Sequence, residues 1–260
     1  MTHPSLSLRS SVRLLLLPLL SIVHAGAHAE GQAGTTSALD VAQLAPSVAR
    51  AYAELVHERY AQSLESARAL RDAVRAFVAG PSRQTLDAAR GAWTLARGDF
   101  GRTEVFRFYQ GPIDDPRTGV EVLLNAWPVD EAYIDAVEGA PGSGIINNPE
   151  RYPTLEKALL EVLNQRGGET NVCTGWHALE FMLWGQDLRL DGPGDRSPSD
   201  FDPRACESAQ RRAEFLAQVT DLLVVHLEQL VGAWAPDREN YRARFLAEPP
   251  LVAVNRMLTG

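Results

Sequence analysis

Residues 41–78 read VAQLAPSVARAYAELVHERYAQSLESARALRDAVRAFV, and apolar side chains recur along them at helical spacing. Val48, Ala51, Tyr52 and Leu55 begin a stripe that Tyr60, Leu64, Ala67, Leu70, Val74 and Phe77 continue. Steps of three and four residues place such positions on one helix face, whereas a half-buried strand would alternate every second residue. Pro46 stands near the beginning, where a helix tolerates the missing N–H. Gly80-Pro81 stops this helix, and Ser82 or Thr85 is placed to cap the next. Leu86, Ala89, Trp93, Ala96, Phe100 and Val105 then predict a second helix reaching about Tyr109. Two long helices across a short connection make an antiparallel αα-hairpin. The fold class is all-α.

Downstream the pattern breaks and resumes. Gly111-Pro112, Asp115-Pro116, Trp127-Pro128, Pro141-Gly142 and Asn148-Pro149 are turn signals. Apolar residues among them (Val122, Leu123, Leu124, Tyr133, Ile134, Ile145, Ile146) imply an ordered insert laid on the helices. Residues 154–165 form a short helix closed by Gly167-Gly168. Residues 175–184 form another, ended by Gly185, and 186–204 are a second Pro/Gly-rich stretch. Residues 207–234 are a long helix, and 241–247 a last helical piece. The expected architecture is a helical bundle with long antiparallel helices and ordered Pro/Gly-rich inserts.

The N-terminal residues read as an export signal. Arg9 and Arg13 precede an apolar core at residues 14–23, and Ala27-His28-Ala29 supplies the small-x-small pattern of a cleavage site. That core is too short for a bilayer span of ~20 residues. Residues 1–29 are therefore a signal peptide cut after Ala29, 30–40 a flexible leader and 41–260 one helical domain, periplasmic or otherwise exported and without a transmembrane helix. Losing Arg9 and Arg13 deepens the formal charge of −8 to −10, with 23 basic against 33 acidic residues. Such a surface repels phosphate backbones, which argues against nucleic acid as a partner. The two cysteines, Cys173 and Cys206, are too few for a disulfide scaffold or a zinc finger, and whether they pair stays open.

The chemistry sits in residues 175–184, GWHALEFMLW. This helix is apolar nearly all round, the mark of burial on every side. It nevertheless carries His177 and Glu180 three residues apart, on one face and one turn apart. A buried lone carboxylate costs several kcal/mol unless compensated. A metal ion, a buried arginine such as Arg107, or a proton shared with His177 would each serve. The plain reading is an ion pair for Glu180 and a backbone partner for His177. Gly175 just ahead permits a close backbone approach.

Residues 174–187, TGWHALEFMLWGQD, resemble the Gly-x-His-x-x-Glu signature of the imelysin-like family, whose members include iron-regulated envelope proteins. Other segments agree in order: Ala92-Trp93 with Ala96-Arg97, residues 103–108 (TEVFRF), residues 111–114 (GPID) and residues 125–128 (NAWP). Asp130-Glu131, Tyr133-Ile134-Asp135, residues 144–147 (GIIN) and residues 192–196 (GPGDR) complete the set. The resemblance covers about residues 41–260. It implies an all-helical fold with a site around the signature helix and a role in iron uptake at the cell envelope. It also implies a second helical bundle in longer members, which this chain lacks on that reading.

A hard cation such as iron, or zinc or another divalent ion, needs more than His177 and Glu180, so further acids are expected to converge. Glu104, within a segment shared with the family, is the first choice as third metal ligand. The competing reading pairs it with Arg107 at i+3, and Arg107 could instead hold Glu180. Asp130 and Glu131 follow Pro128 and complement the dipole of a starting helix, so capping is the simpler account of Asp130. Glu54 and His57 read as rim residues and His226 as a core histidine. Trp93, Trp127, Trp176 and Trp184 read as core.

Three functions compete. The first is a periplasmic metal-binding protein serving iron uptake, with an inner- or outer-membrane iron-transport component as partner and no turnover. The second is a metallopeptidase, which needs a third protein ligand, an open position and a general base. The chain offers no second histidine near His177. The third is a non-catalytic helical interaction protein.

Overall fold

The computed structural model describes residues 37–188 and 190–259; the expected signal peptide and most of the expected leader lie outside them. All regular structure among the described residues is helical, beyond an isolated bridge between Val137 and Ala140. Helix α1 spans Ser37–Ala79, so the leader's last residues are already helical, and α2 spans Arg83–Gly101. Short helices α3 (Glu121–Asn125), α4 (Glu131–Ile134) and α5 (Lys157–Leu163) punctuate the insert. Then come α6 (Gly175–Trp184), α7 (Ala209–Trp234), α8 (Tyr241–Ala247) and α9 (Pro250–Thr259). Two single-turn 3₁₀ helices lie at Glu104–Phe106 and Pro198–Phe201.

The hairpin forms as the periodicity predicts. Ser82 caps α2 with a reciprocal box: its hydroxyl accepts from Thr85 N (3.2 Å) while the Thr85 hydroxyl accepts from Ser82 N (3.1 Å). Helix α1 packs against both α2 and α7. Val56, Leu70, Val74 and Phe77 meet Leu86, Ala89 and Phe100 of α2 and Phe215, Leu223 and Leu230 of α7 in one continuous core. Burial of such side chains contributes about 1.5–3 kcal/mol each. Along one 18-residue window α7 is apolar enough to pass for a membrane span, yet over half of that window is buried. Its apolarity serves the core.

Two expectations change. In the first turns of α1 the buried stripe is Ala45, Ala49, Ala53, Val56 and Tyr60, while Val48, Ala51 and Leu55 are exposed. The small side chains win that face because α9 and α8 pack on α1, and alanine lets helix backbones approach. The second change is that α2 ends at Gly101 and not near Tyr109. The backbone N–H and the hydroxyl of Thr103 both turn back to Phe100 O (2.8 and 2.7 Å). Phe108 and Gln110 then adopt left-handed φ of 67° and 58°, which no helix continues through.

The insert is tied to the bundle by one carboxylate. Asp135, wholly buried, accepts from Arg196 Nη1 (2.9 Å) and from Arg212 Nε and Nη2 (2.7 and 3.1 Å). Ala136 N and Asn147 Nδ2 donate to it as well (2.8 and 3.0 Å). Burial alone would raise this carboxyl's pKa; the Arg212 hydrogen bonds and the charges of Arg196 and Arg212 prevail and hold it below the usual carboxylate range. Replacing Asp135 by Ala strands two buried guanidinium groups and is expected to cost about 3–5 kcal/mol at pH 7. A group held below its ordinary pKa stabilises above about pH 4 and loses that contribution as the pH falls further. Urea unfolding of parent and Asp135→Ala should therefore differ widely at pH 7 and converge towards pH 3; a constant gap would refute the ion cluster.

Candidate functional site

The signature helix α6 is held at both ends. At its start, Gly175 has φ of 79°, and a Cβ there would lie 2.7 Å from Leu123 O and closer still to Leu124 O. Only glycine permits both the left-handed backbone and the approach of α3. The Thr174 hydroxyl donates to Leu123 O (2.9 Å), and Trp93 Nε1 donates to Trp176 O (3.0 Å). At the other end, Gly185 takes φ of 74°, Arg90 Nε donates to Leu183 O (3.0 Å) and Arg196 N to Trp184 O (2.8 Å). An arginine at the last carbonyls also complements the helix dipole. Gly194 completes the closure, because a Cβ there would fall 2.6 Å from Trp184 O.

Between these anchors seven residues of α6 are buried, whereas His177 and Glu180 are not. Their side chains are 18% and 45% exposed, and His177 Nδ1 lies 3.0 Å from Glu180 Oε2. The carboxylate is therefore not entombed, contrary to what the apolar surroundings predict. It opens into a cavity of about 430 Å³ walled by Trp127, Phe181 and Trp184 as well as the pair. Of the compensations considered, the structure supplies the hydrogen bond to His177. Trp127 is no core residue: it is 67% exposed and its ring lies 4.8 Å from the His177 imidazole. With Nδ1–H donated to Glu180, the imidazole keeps a lone pair on Nε2 for a cation, and the carboxylate fixes the tautomer.

The other candidates sit around this pair. Glu104, on the 3₁₀ turn, accepts from Arg107 Nη1 (2.9 Å) and from Asn125 Nδ2 (3.3 Å). Arg107 also pairs with Glu121 (2.9 Å). Asn125 Oδ1 in turn accepts from Arg97 Nη2 (3.1 Å). Burial pulls the Arg97 guanidinium below its ordinary pKa, and the nearby charges of Glu104 and Glu180 act in the opposite sense. Arg97 thus lies within electrostatic reach of both carboxylates. Sequence reasoning missed it as a site residue, although it stands in one of the shared segments. Among the described residues no group of three or more His, Cys, Asp and Glu side chains gathers at metal-binding spacing.

Asp130 caps α4, its carboxylate accepting from Ala132 N (3.1 Å). Glu131, beside it, lines the cavity, as does Asp187. His226 is buried and meets Glu161 Oε1 through Nε2 (2.8 Å), as a core histidine does. Glu54, 70% exposed, faces Arg242 at 3.9 Å. Both cysteines are free; Cys173 is buried, and Cys206 accepts from Arg212 Nη1 (2.8 Å).

An all-α bundle whose Gly-x-His-x-x-Glu helix opens on a cavity defines a class, and the wider chain agrees. The protein belongs to the imelysin family (Peptidase_M75), whose model matches residues 56–260. It is 30% identical over 106 residues to Iron-regulated protein A of Synechococcus elongatus. That stretch is 41% of this chain and only 29% of the relative, so the matched part spans under a third of that protein's length.

Substituting Gly175 by Ala forces a left-handed backbone on a residue with a Cβ and drives that Cβ into α3. The expected loss is about 2–4 kcal/mol, from backbone strain and overpacking together. Urea denaturation measures it, and a variant as stable as the parent would show that α3 and α6 do not meet this closely.

Proposed function

We propose that this is an exported, metal-binding member of the imelysin family that serves iron uptake at the cell envelope, holding its cation at His177 and Glu180. The observation that carries the reading is the hydrogen-bonded imidazole–carboxylate pair on the wall of an open cavity. Ferrous iron accepts both donor types, and ferric iron favours the carboxylate. Glu131 and Asp187 line the same cavity and add negative charge that attracts a cation. The similarity to Iron-regulated protein A of Synechococcus elongatus supports iron as the cargo. The signal-like residues 1–29 support export to the periplasm, where an iron-transport component of the membrane would be the partner.

Glu104 has an outer role on this reading. It stays with Arg107 and Asn125 and, through Asn125, orients Arg97 near Glu180. The metallopeptidase alternative draws less support. A zinc hydrolase takes three protein ligands, and among the described residues no three His, Cys, Asp or Glu side chains gather at metal-binding spacing.

Calorimetric titration with ferrous iron under anaerobic conditions, and with zinc, tests the proposal. His177→Ala should remove binding altogether. Glu180→Gln should weaken it about 10–100-fold, the usual cost of losing a carboxylate that orients a metal-bound imidazole. Unchanged affinity in His177→Ala would sink the reading, and hydrolysis of a casein substrate lost in the same variant would favour the peptidase.

A further inference from the structure

The cavity beside His177 is built for more than a bare ion. Its volume of about 430 Å³ falls within the range of small-molecule sites. Three carboxylates line it, Glu131, Glu180 and Asp187, and no arginine or lysine among the described lining residues offsets them. Glu180 is engaged by His177. Glu131 and Asp187 form no ion pair with a described arginine or lysine, Glu131 being half-buried and Asp187 exposed. Three aromatic rings, Trp127, Phe181 and Trp184, share the wall with Val129, Pro193 and two glycines.

Carboxylates interleaved with aromatic rings are the receptor chemistry for organic cations. The ring quadrupole attracts the positive charge, the apolar ring surface buries the alkyl part, and the acids set the sign. The same rings already show this preference within the molecule. The Arg196 guanidinium lies 5.1 Å from the Phe181 centroid, and that of Arg90 lies 5.6 Å from the Trp184 ring. Those two rings each give up one approach to an internal cation. Trp127 has His177 as its described ring neighbour and remains 67% exposed, so its indole is the surface most open to an incoming group.

We infer that the cavity binds a small organic cation of the alkylammonium or guanidinium type, seated against Trp127 and neutralised by Glu131 and Asp187. This goes beyond the metal reading and does not depend on it. The pair His177–Glu180 lies on the same wall, so a bound organic cation and a metal ion would compete through charge.

The test uses chelator-treated full-length protein and ligand-detected NMR, with tryptophan fluorescence as a second readout. The probes are choline, its neutral isostere 3,3-dimethylbutan-1-ol, and agmatine. Choline and agmatine should bind at least tenfold tighter than the neutral isostere. Trp127→Ala should weaken both cations at least fivefold, and so should Glu131→Gln. Because Trp127 is largely exposed, its replacement should leave the melting temperature unchanged. Asp187→Asn, at an exposed position, supplies a second variant should Glu131→Gln perturb α4. Equal affinity for choline and its isostere, no binding of either cation, or cation binding untouched by Trp127→Ala would each overturn the inference. Tighter binding of a blocked arginine peptide than of agmatine would assign the pocket to a partner protein and overturn it as well. Metal binding without cation binding sinks this inference alone; cation binding without metal binding leaves it standing and removes the metal reading.

Discussion

Asp135 with its two arginines is the constraint on which the site's architecture depends. One carboxylate joins three parts of the chain distant in sequence: the insert after α4, the loop carrying Arg196, and α7 through Arg212. A fully buried carboxylate is tolerable only when its charge and its hydrogen-bonding capacity are met, and here five donor contacts meet them. The geometry that satisfies Asp135 also brings Arg196 N to the end of α6 and places Pro193 and Gly194 on the cavity wall. A polar knot beneath the site thus sets the shape of the apolar hollow above it.

Helix α6 can then combine opposed properties. Seven of its ten residues are sealed in the bundle, which keeps the helix rigid, while the remaining face gives on to the cavity. Rigidity comes from contacts requiring glycine: Gly175 against α3, Gly185 in the left-handed region, Gly194 against the carbonyls that end the helix. Preorganisation of this sort lets a half-exposed imidazole–carboxylate pair hold one geometry without the cost of burying a charge.

Much of this was legible in the chain. The 3.6-residue period of α1 and the Gly80-Pro81 break announced the hairpin, and the bounds of α6 followed from Gly175 and Gly185. His177 and Glu180 stood out because an ionisable pair interrupts an otherwise apolar helix. Other features resisted reading for physical reasons. The early turns of α1 bury alanines and not Val48 or Leu55, because the partner helices that need close approach come from the far end of the chain. Trp127 looked like core, since an indole's exposure depends on which distant segments pack against it. Asp135 and Arg97 stand in recognisable segments, but their partners could not be read there, because those contacts join segments far apart in sequence.

The sequence by itself determined an all-α bundle, the apolar helix at residues 175–184 and the two ionisable side chains that share one face of it. Periodicity, glycine and proline act over a few residues, so they can be read without knowing the partners. Only the tertiary structure decided that Glu180 faces a hollow, that Glu104 is engaged by Arg107 and Asn125, and that Glu131, Asp187 and Trp127 share the wall with His177. Those outcomes follow from which surfaces meet, and a carboxylate's role depends on whether an arginine or open space lies before it.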